Sequence, residues 1–234
     1  MPRFNYSALT ITVCLLALGS QASVLGQVSE RANERYRTEE GRATVAQNLD
    51  SPSREQDQKP RELVQSLGIK EGHVVADIGT GTGFMLPYLL EAVGGLGLVY
   101  AEDIQADFLD SVRRKVADER WSNVRVVQGA VKDASLPPES LDWAFILDVY
   151  HHFEYPREVM ETVRESLKAQ GRLAVIDFYR SRSHPRMAPD RLLSHIRLDR
   201  DGFSQEIESA GFRLVRQFDH LPHQYVLIFE KKRD

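Results

Sequence analysis

Residues 74–84 read VVADIGTGTGF, and this stretch decides the fold. Val74, Val75 and Ala76 form a short apolar strand that runs into Asp77. Three glycines then alternate with threonine at Gly79, Gly81 and Gly83. Glycine accepts φ > 0 and has no Cβ, so such a loop turns tightly and lets a ligand touch its backbone. The pattern after Phe84 is helical, which places that ligand at a helix N-terminus. Strand, glycine turn and helix together are how an α/β sheet builds a nucleotide pocket.

Spacing selects among nucleotides. A dinucleotide fingerprint, G-x-G-x-x-G, counted from Gly79 needs glycine at position 84, where Phe84 stands. The pattern from Asp77 to Gly83 is D-x-G-x-G-x-G, which resembles the first motif of the class I S-adenosylmethionine-dependent methyltransferases. The resemblance implies S-adenosyl-L-methionine as cofactor, with Asp77, Gly79, Thr80, Gly81 and Gly83 around its methionine part.

Outward from this loop, strand and helix patterns alternate, which predicts parallel βαβ units. Strands are expected at 74–78, 98–103, 124–128, 142–147 and 172–177, and helices at 85–93, 106–119, 156–169 and 201–210. Two final strands, 212–218 and 224–229, alternate like a closing hairpin. The family's sheet likewise has seven strands, the last antiparallel. The expected fold is therefore α/β, a Rossmann-like seven-stranded methyltransferase sheet with helices on both faces.

The second strand ends in Glu102-Asp103, about 20 residues past the glycines, where an acid can accept both hydroxyls of a ribose. Alignment of VYAEDIQADFL with the family's second motif favours Asp103, with Glu102 the alternative. The resemblance also places an adenine contact after the third strand. Asp133 is the candidate there by position, while Ala130, directly after the glycine, departs from the Asp that many relatives carry.

The fourth strand is a continuous apolar run ending in Asp148-Val149-Tyr150-His151-His152. Ligands of open α/β sheets sit at that carboxyl edge. Asp148, Tyr150, His151 and His152 are the candidate catalytic residues, with a histidine as base and Asp148 orienting it; Asp148 also counts among the cofactor contacts. In an extended chain adjacent side chains point apart, so one histidine is expected to face the pocket and the other to pack. Six histidines lie at or beyond position 151, but no pair has H-x-x-x-H spacing, so no metal is expected. The absence of G-x-S-x-G argues against a serine hydrolase.

The flanks carry other signals. Arg3 followed by the apolar run 8–18 and Ser20-Gln21-Ala22 resembles a secretory signal peptide. The expected organisation is a leader or anchor at 1–27, a charged helical segment at 28–60 acting as a lid, and the methyltransferase domain at 61–234. A helix is expected over 29–49, ended by Ser51-Pro52-Ser53, with another at 61–67. The protein is expected to be exported, periplasmic or secreted, if the leader is genuine, and cytoplasmic otherwise. No apolar run is long enough for a stable membrane span once the leader is gone. Net charge is −4 with no basic stretch of the kind that tracks phosphates, so nucleic acid is not an expected partner. The basic segment 180–200, with Arg180, Arg182, Arg186 and Arg191, is expected as a solvated loop near the acceptor. Within the chain, YHHFEYPREV and AGFRLVRQFDHLPHQYVLIF resemble a bacterial subgroup of methyltransferase type 11 proteins with signal-like N-termini. The resulting reading is methyl transfer to a small-molecule acceptor; the alternative is a protein that binds S-adenosylmethionine or S-adenosylhomocysteine without catalysis.

Overall fold

The computed structural model describes residues 29–182 and 187–233. The expected leader, His184 and Arg186 lie outside the described residues. Seven strands, β1 (Val74–Ile78), β2 (Leu98–Asp103), β3 (Val124–Gln128), β4 (Leu141–Leu147), β5 (Leu167–Phe178), β6 (Phe212–Phe218) and β7 (Gln224–Lys231), form one sheet in the order β3-β2-β1-β4-β5-β7-β6. The first five are parallel, and β7 runs antiparallel to both β5 and β6. The expected fold is therefore the observed one.

The alternation of side chains along each strand builds two apolar layers. On one face Ala76, Ala144 and Ile146 pack with Met160, Val163, Phe203 and Ile207. These come from α6 (Pro156–Ser166) and α8 (Arg200–Ser209). On the other, Val75, Trp143 and Phe145 pack with Leu63, Leu89 and Val112. Those belong to α3 (Pro60–Leu67), α4 (Leu86–Val93) and α5 (Ala106–Asp118). The strand order reverses direction at β1, between β2 and β4, so a crevice opens at the carboxyl ends of these strands. Pairing of Ile78 with Glu102, and of Leu147 with Ile176, brings the ends of β1, β2, β4 and β5 to one edge.

Four local expectations change. The helix expected over 29–49 is interrupted by a 3-10 turn, Glu34–Arg37. Thr38 then adopts extended backbone and caps α1 (Glu39–Leu49), its hydroxyl accepting the Gly41 N–H at 3.1 Å. The stop at Ser51-Pro52-Ser53 is followed at once by a short helix, α2 (Arg54–Gln58). The helix expected to reach residue 169 ends at Ser166, because Leu167 pairs with Leu141 and opens β5 early. Within the basic segment, α7 (Pro189–His195) forms with proline in its first turn, where the missing N–H costs nothing. No helix among the described residues is long and apolar enough to cross a membrane.

Candidate active site

A cavity of about 650 Å³ occupies the crevice, within the usual range of small-molecule sites. The glycine loop forms its floor, and residues of the 29–58 segment form its roof. Gly79 has φ +70°, and a Cβ there would stand 2.5 Å from Cγ1 of Val149. Gly81 has φ +57°, and its Cβ would meet Cδ1 of Leu49 at 2.8 Å. Both positions are therefore glycine for two reasons: the left-handed backbone, and the close approach of a neighbouring element. Gly83 differs from expectation, since it packs against Leu86 and Val112 and does not line the cavity.

The acids at the end of β2 hold the loop. Gly81 donates its N–H to Oδ2 of Asp103 at 2.9 Å, and Gly79 to Oε2 of Glu102 at 3.2 Å. Asp103 also accepts the Gln105 N–H at 2.8 Å. Thr80 donates its hydroxyl to Asp77 at 2.6 Å. Both Glu102 and Asp103 reach the cavity. Asp133 does not; it is exposed and its carboxylate accepts the Ser135 N–H at 2.7 Å, closing a turn.

Burial dominates the ionisation of these acids. It pushes Asp77 up to about 7, Asp103 up to about 6, Asp148 up to about 6, and Glu102 well above the carboxylate range. The buried Arg54 guanidinium opposes this at Asp77 and Asp148, and the backbone N–H groups of Gln105, Gly81 and Ile104 oppose it at Asp103. The Arg54 guanidinium lies 4.3 Å over the Phe84 ring and lines the cavity.

Stability then depends on pH with a defined sign. The folded chain keeps protons on these carboxyls that the unfolded chain releases near pH 3.8, so the free protein loses stability as pH rises from about 4 through 7. Asp77→Asn removes a contribution of a few kcal/mol, taking 1.36 kcal/mol per tenfold change in proton affinity. Thermal melts of the ligand-free protein between pH 5 and pH 8 are expected to show wild-type Tm falling more steeply than Asp77→Asn; parallel slopes would contradict this.

The far wall is the turn after β4. Asp148 sits at φ +57° with its carboxylate accepting from Nε2 of Gln58 and from Nε2 of Gln224 at 3.0 Å. It lines the cavity but orients no histidine. Residues Tyr150–His152 form a 3-10 turn, not extended chain. Both His151 and His152 therefore line the cavity, their ring centroids 4.1 Å apart, which corrects the expectation that one of them would turn away. Tyr150 is the one that turns away. It is fully buried among Phe153 and Phe203, and its hydroxyl bonds Glu206 at 2.9 Å.

The partner of His151 is Asp177, at the end of β5, fully buried and 2.8 Å from Nδ1. Asn33 does the same for His152: its Oδ1 lies 2.8 Å from Nδ1, while its amide N–H groups go to the His152 carbonyl at 2.9 Å and Glu154 at 3.1 Å. Burial, with the neighbouring imidazoles, holds His152 well below the usual histidine range. His195 at the end of α7 completes the group, 5.0 Å from the His151 ring and 5.2 Å from that of His152. Asn33, Arg54, Asp177 and His195 were not candidates from sequence. Only Asp177 carries a local signal, an acid at the carboxyl end of a central strand.

Known proteins match this architecture. Residues 76–173 match the family described as "Methyltransferase domain". The ubiquinone/menaquinone biosynthesis C-methyltransferase of Pseudomonas aeruginosa is 30% identical over 125 residues, 53% of this chain and 49% of that protein. An uncharacterized methyltransferase of Bacillus subtilis is 26% identical over 121 residues, 50% of this chain and 45% of that protein. The chain thus spans about half the length of the curated relatives it matches. A crystal structure of a SAM-dependent methyltransferase from Aquifex aeolicus superposes with a TM-score of 0.73 at 28% identity, covering 80% of this chain and 96% of that one. Phe84 in place of a sixth-position glycine, the strand order and these matches agree: residues 76–173 match a methyltransferase domain, and the sheet around them is similar to that of a SAM-dependent methyltransferase.

Proposed function

We propose that the protein transfers a methyl group from S-adenosylmethionine to a small-molecule acceptor bound beside His151 and His152. The observation that carries this reading is the opposition, across one cavity, of a glycine loop in left-handed backbone and a histidine cluster with a buried carboxylate behind it.

The residues present fit the cofactor. Gly79 and Gly81 leave the cradle that a Cβ would fill. Asp103 or Glu102 would take the ribose hydroxyls, and the buried cation of Arg54 suits an amino-acid carboxylate. When bound, the cofactor supplies a methyl group made electrophilic by its sulfonium. Everything else is positioning: holding a nucleophile in line is worth roughly 7–11 kcal/mol.

Acceptors that carry a proton must lose it. Asp177 accepts Nδ1–H of His151, which leaves Nε2 with a free lone pair as the proton acceptor. The segment 29–58 excludes water as a lid. Asn33 ties it to the His152 carbonyl, Thr82 to Asp50 at 2.7 Å, and Arg42 to Asp107 at 2.6 Å.

Calorimetry with S-adenosylhomocysteine and with NAD separates the pocket readings. Micromolar or tighter binding of the first and none of the second is expected; the reverse would overturn the assignment. A labelled-methyl screen against small molecules then separates enzyme from binder, and labelled product that disappears in His151→Ala is the expected result.

A further inference from the structure

Outside the cofactor cradle, the least explained feature is the convergence of His151, His152 and His195. One ring nitrogen from each lies within 4.8 Å of those from the others. Three imidazoles at this distance gain nothing from one another as bases, because protonating one opposes protonating the next.

Their surroundings give them a common direction. Asp177 accepts from Nδ1 of His151, and Asn33 Oδ1 accepts from Nδ1 of His152. The Asn33 amide is already donating to two other oxygens, so its carbonyl oxygen faces the imidazole. Both rings are thereby fixed as Nδ1–H tautomers with bare Nε2 lone pairs. A hydrogen-bond acceptor on Nδ1 that leaves Nε2 to bind is the arrangement that orients histidines around a metal.

We infer that His151, His152 and His195 form a binding site for a divalent cation of the zinc class, with its fourth position open to the acceptor side of the cavity. Neutral imidazoles select such an ion over Mg²⁺ or Ca²⁺, which prefer oxygen ligands. Tetrahedral coordination at about 2.1 Å places ligand nitrogens about 3.4 Å apart, so binding draws the rings inward by about 1 Å. Among the described residues no fourth protein ligand joins them, and three protein ligands with one open place is the pattern of a catalytic site, not a structural one.

The open place indicates the acceptor's chemistry. A hydroxyl or thiol coordinated there gives up its proton to solvent and stays as the anion, because the ion stabilises that charge. Loaded in this way, the cluster replaces a free imidazole base. This use rests on the methyl-transfer reading; the binding of the ion does not.

The test uses untagged full-length protein stripped with a chelator. Titration with Zn²⁺ is expected to give one ion per chain with submicromolar Kd, and Co²⁺ to give the intense visible absorption of a four-coordinate site. His195→Gln is expected to weaken Zn²⁺ at least 100-fold while S-adenosylhomocysteine still binds. Failure of wild-type protein to bind Zn²⁺, a weak six-coordinate Co²⁺ spectrum, or unchanged Zn²⁺ affinity in His195→Gln would overturn the site. Loss of Zn²⁺ binding with intact S-adenosylhomocysteine binding leaves the methyl-donor reading standing, and the converse result rejects that reading alone.

Discussion

Gly79→Ala is expected to weaken S-adenosylhomocysteine binding on the order of 100-fold with the fold retained. Two costs combine. The left-handed backbone at φ +70° costs an L-residue roughly 1–2 kcal/mol. The new methyl group would stand 2.5 Å and 2.7 Å from the two γ-methyls of Val149. Val149 has little room to yield, since the preceding residue, Asp148, donates its N–H to the Ile176 carbonyl at 2.9 Å. The loop must therefore retreat, and the total of about 3 kcal/mol converts to about 100-fold in Kd. Adding Val149→Ala removes the contact but not the backbone cost, so the double variant is expected to recover roughly half of the lost binding energy. Calorimetry on the single and double variants checks this. An affinity within threefold of wild type for Gly79→Ala would sink the assignment of the loop as the cofactor cradle.

Asp177→Asn is expected to lower turnover by roughly 10²–10⁴-fold, the scale of a positioned proton acceptor, with S-adenosylhomocysteine affinity unchanged. Asn keeps the shape of Asp177 and can still accept one hydrogen bond, but it lets an amide N–H face Nδ1 of His151. The imidazole then favours the opposite tautomer, with its proton at Nε2 toward the cavity. Asp177 is fully buried and also accepts the backbone N–H groups of His151 at 3.1 Å and Phe178 at 2.8 Å. A thermal melt accompanies the kinetics for that reason. If cofactor affinity falls together with turnover, Asp177 serves the fold and not the proton.

The glycine-loop side of the cavity was legible in the chain because it is local. Asp77, Gly79, Thr80 and Gly81 lie within one strand-turn-helix unit, and the acids at 102–103 fall one βα unit later. Backbone constraint writes itself into sequence as glycine at fixed spacing. The histidine side was legible only in part. His151 and His152 stood out at the end of an apolar strand, but the 3-10 turn that aims both rings inward leaves no periodic signature in three residues. The same turn sends Tyr150 into the core, where its ring is fully buried. His195 lies 43 positions beyond His152, and only the path through β5 and α7 brings the two together. Asn33 and Arg54 meet the sheet through tertiary packing of the preceding segment, which no local pattern encodes. Asp133 and Gly83 differ in the other direction, since neither lines the cavity. Each has the right type at a plausible place, but the turn at Ala130–Asp133 and the helix packing at Leu86 consume them.

The cavity draws its lining from different parts of the polypeptide. Asp77, Gly79, Thr80, Gly81, Glu102 and Asp103 fall within residues 76–173, the portion shared with the methyltransferase domain family. Asn33, Tyr36, Arg54, Arg191 and His195 fall outside it, as does Asp177 behind His151. His151 and His152 fall within that same portion, so the glycine loop and the turn after β4 share one stretch of chain, while the roof and the carboxylate behind His151 come from its flanks. A likeness measured over residues 76–173 is therefore silent about the roof that closes over them.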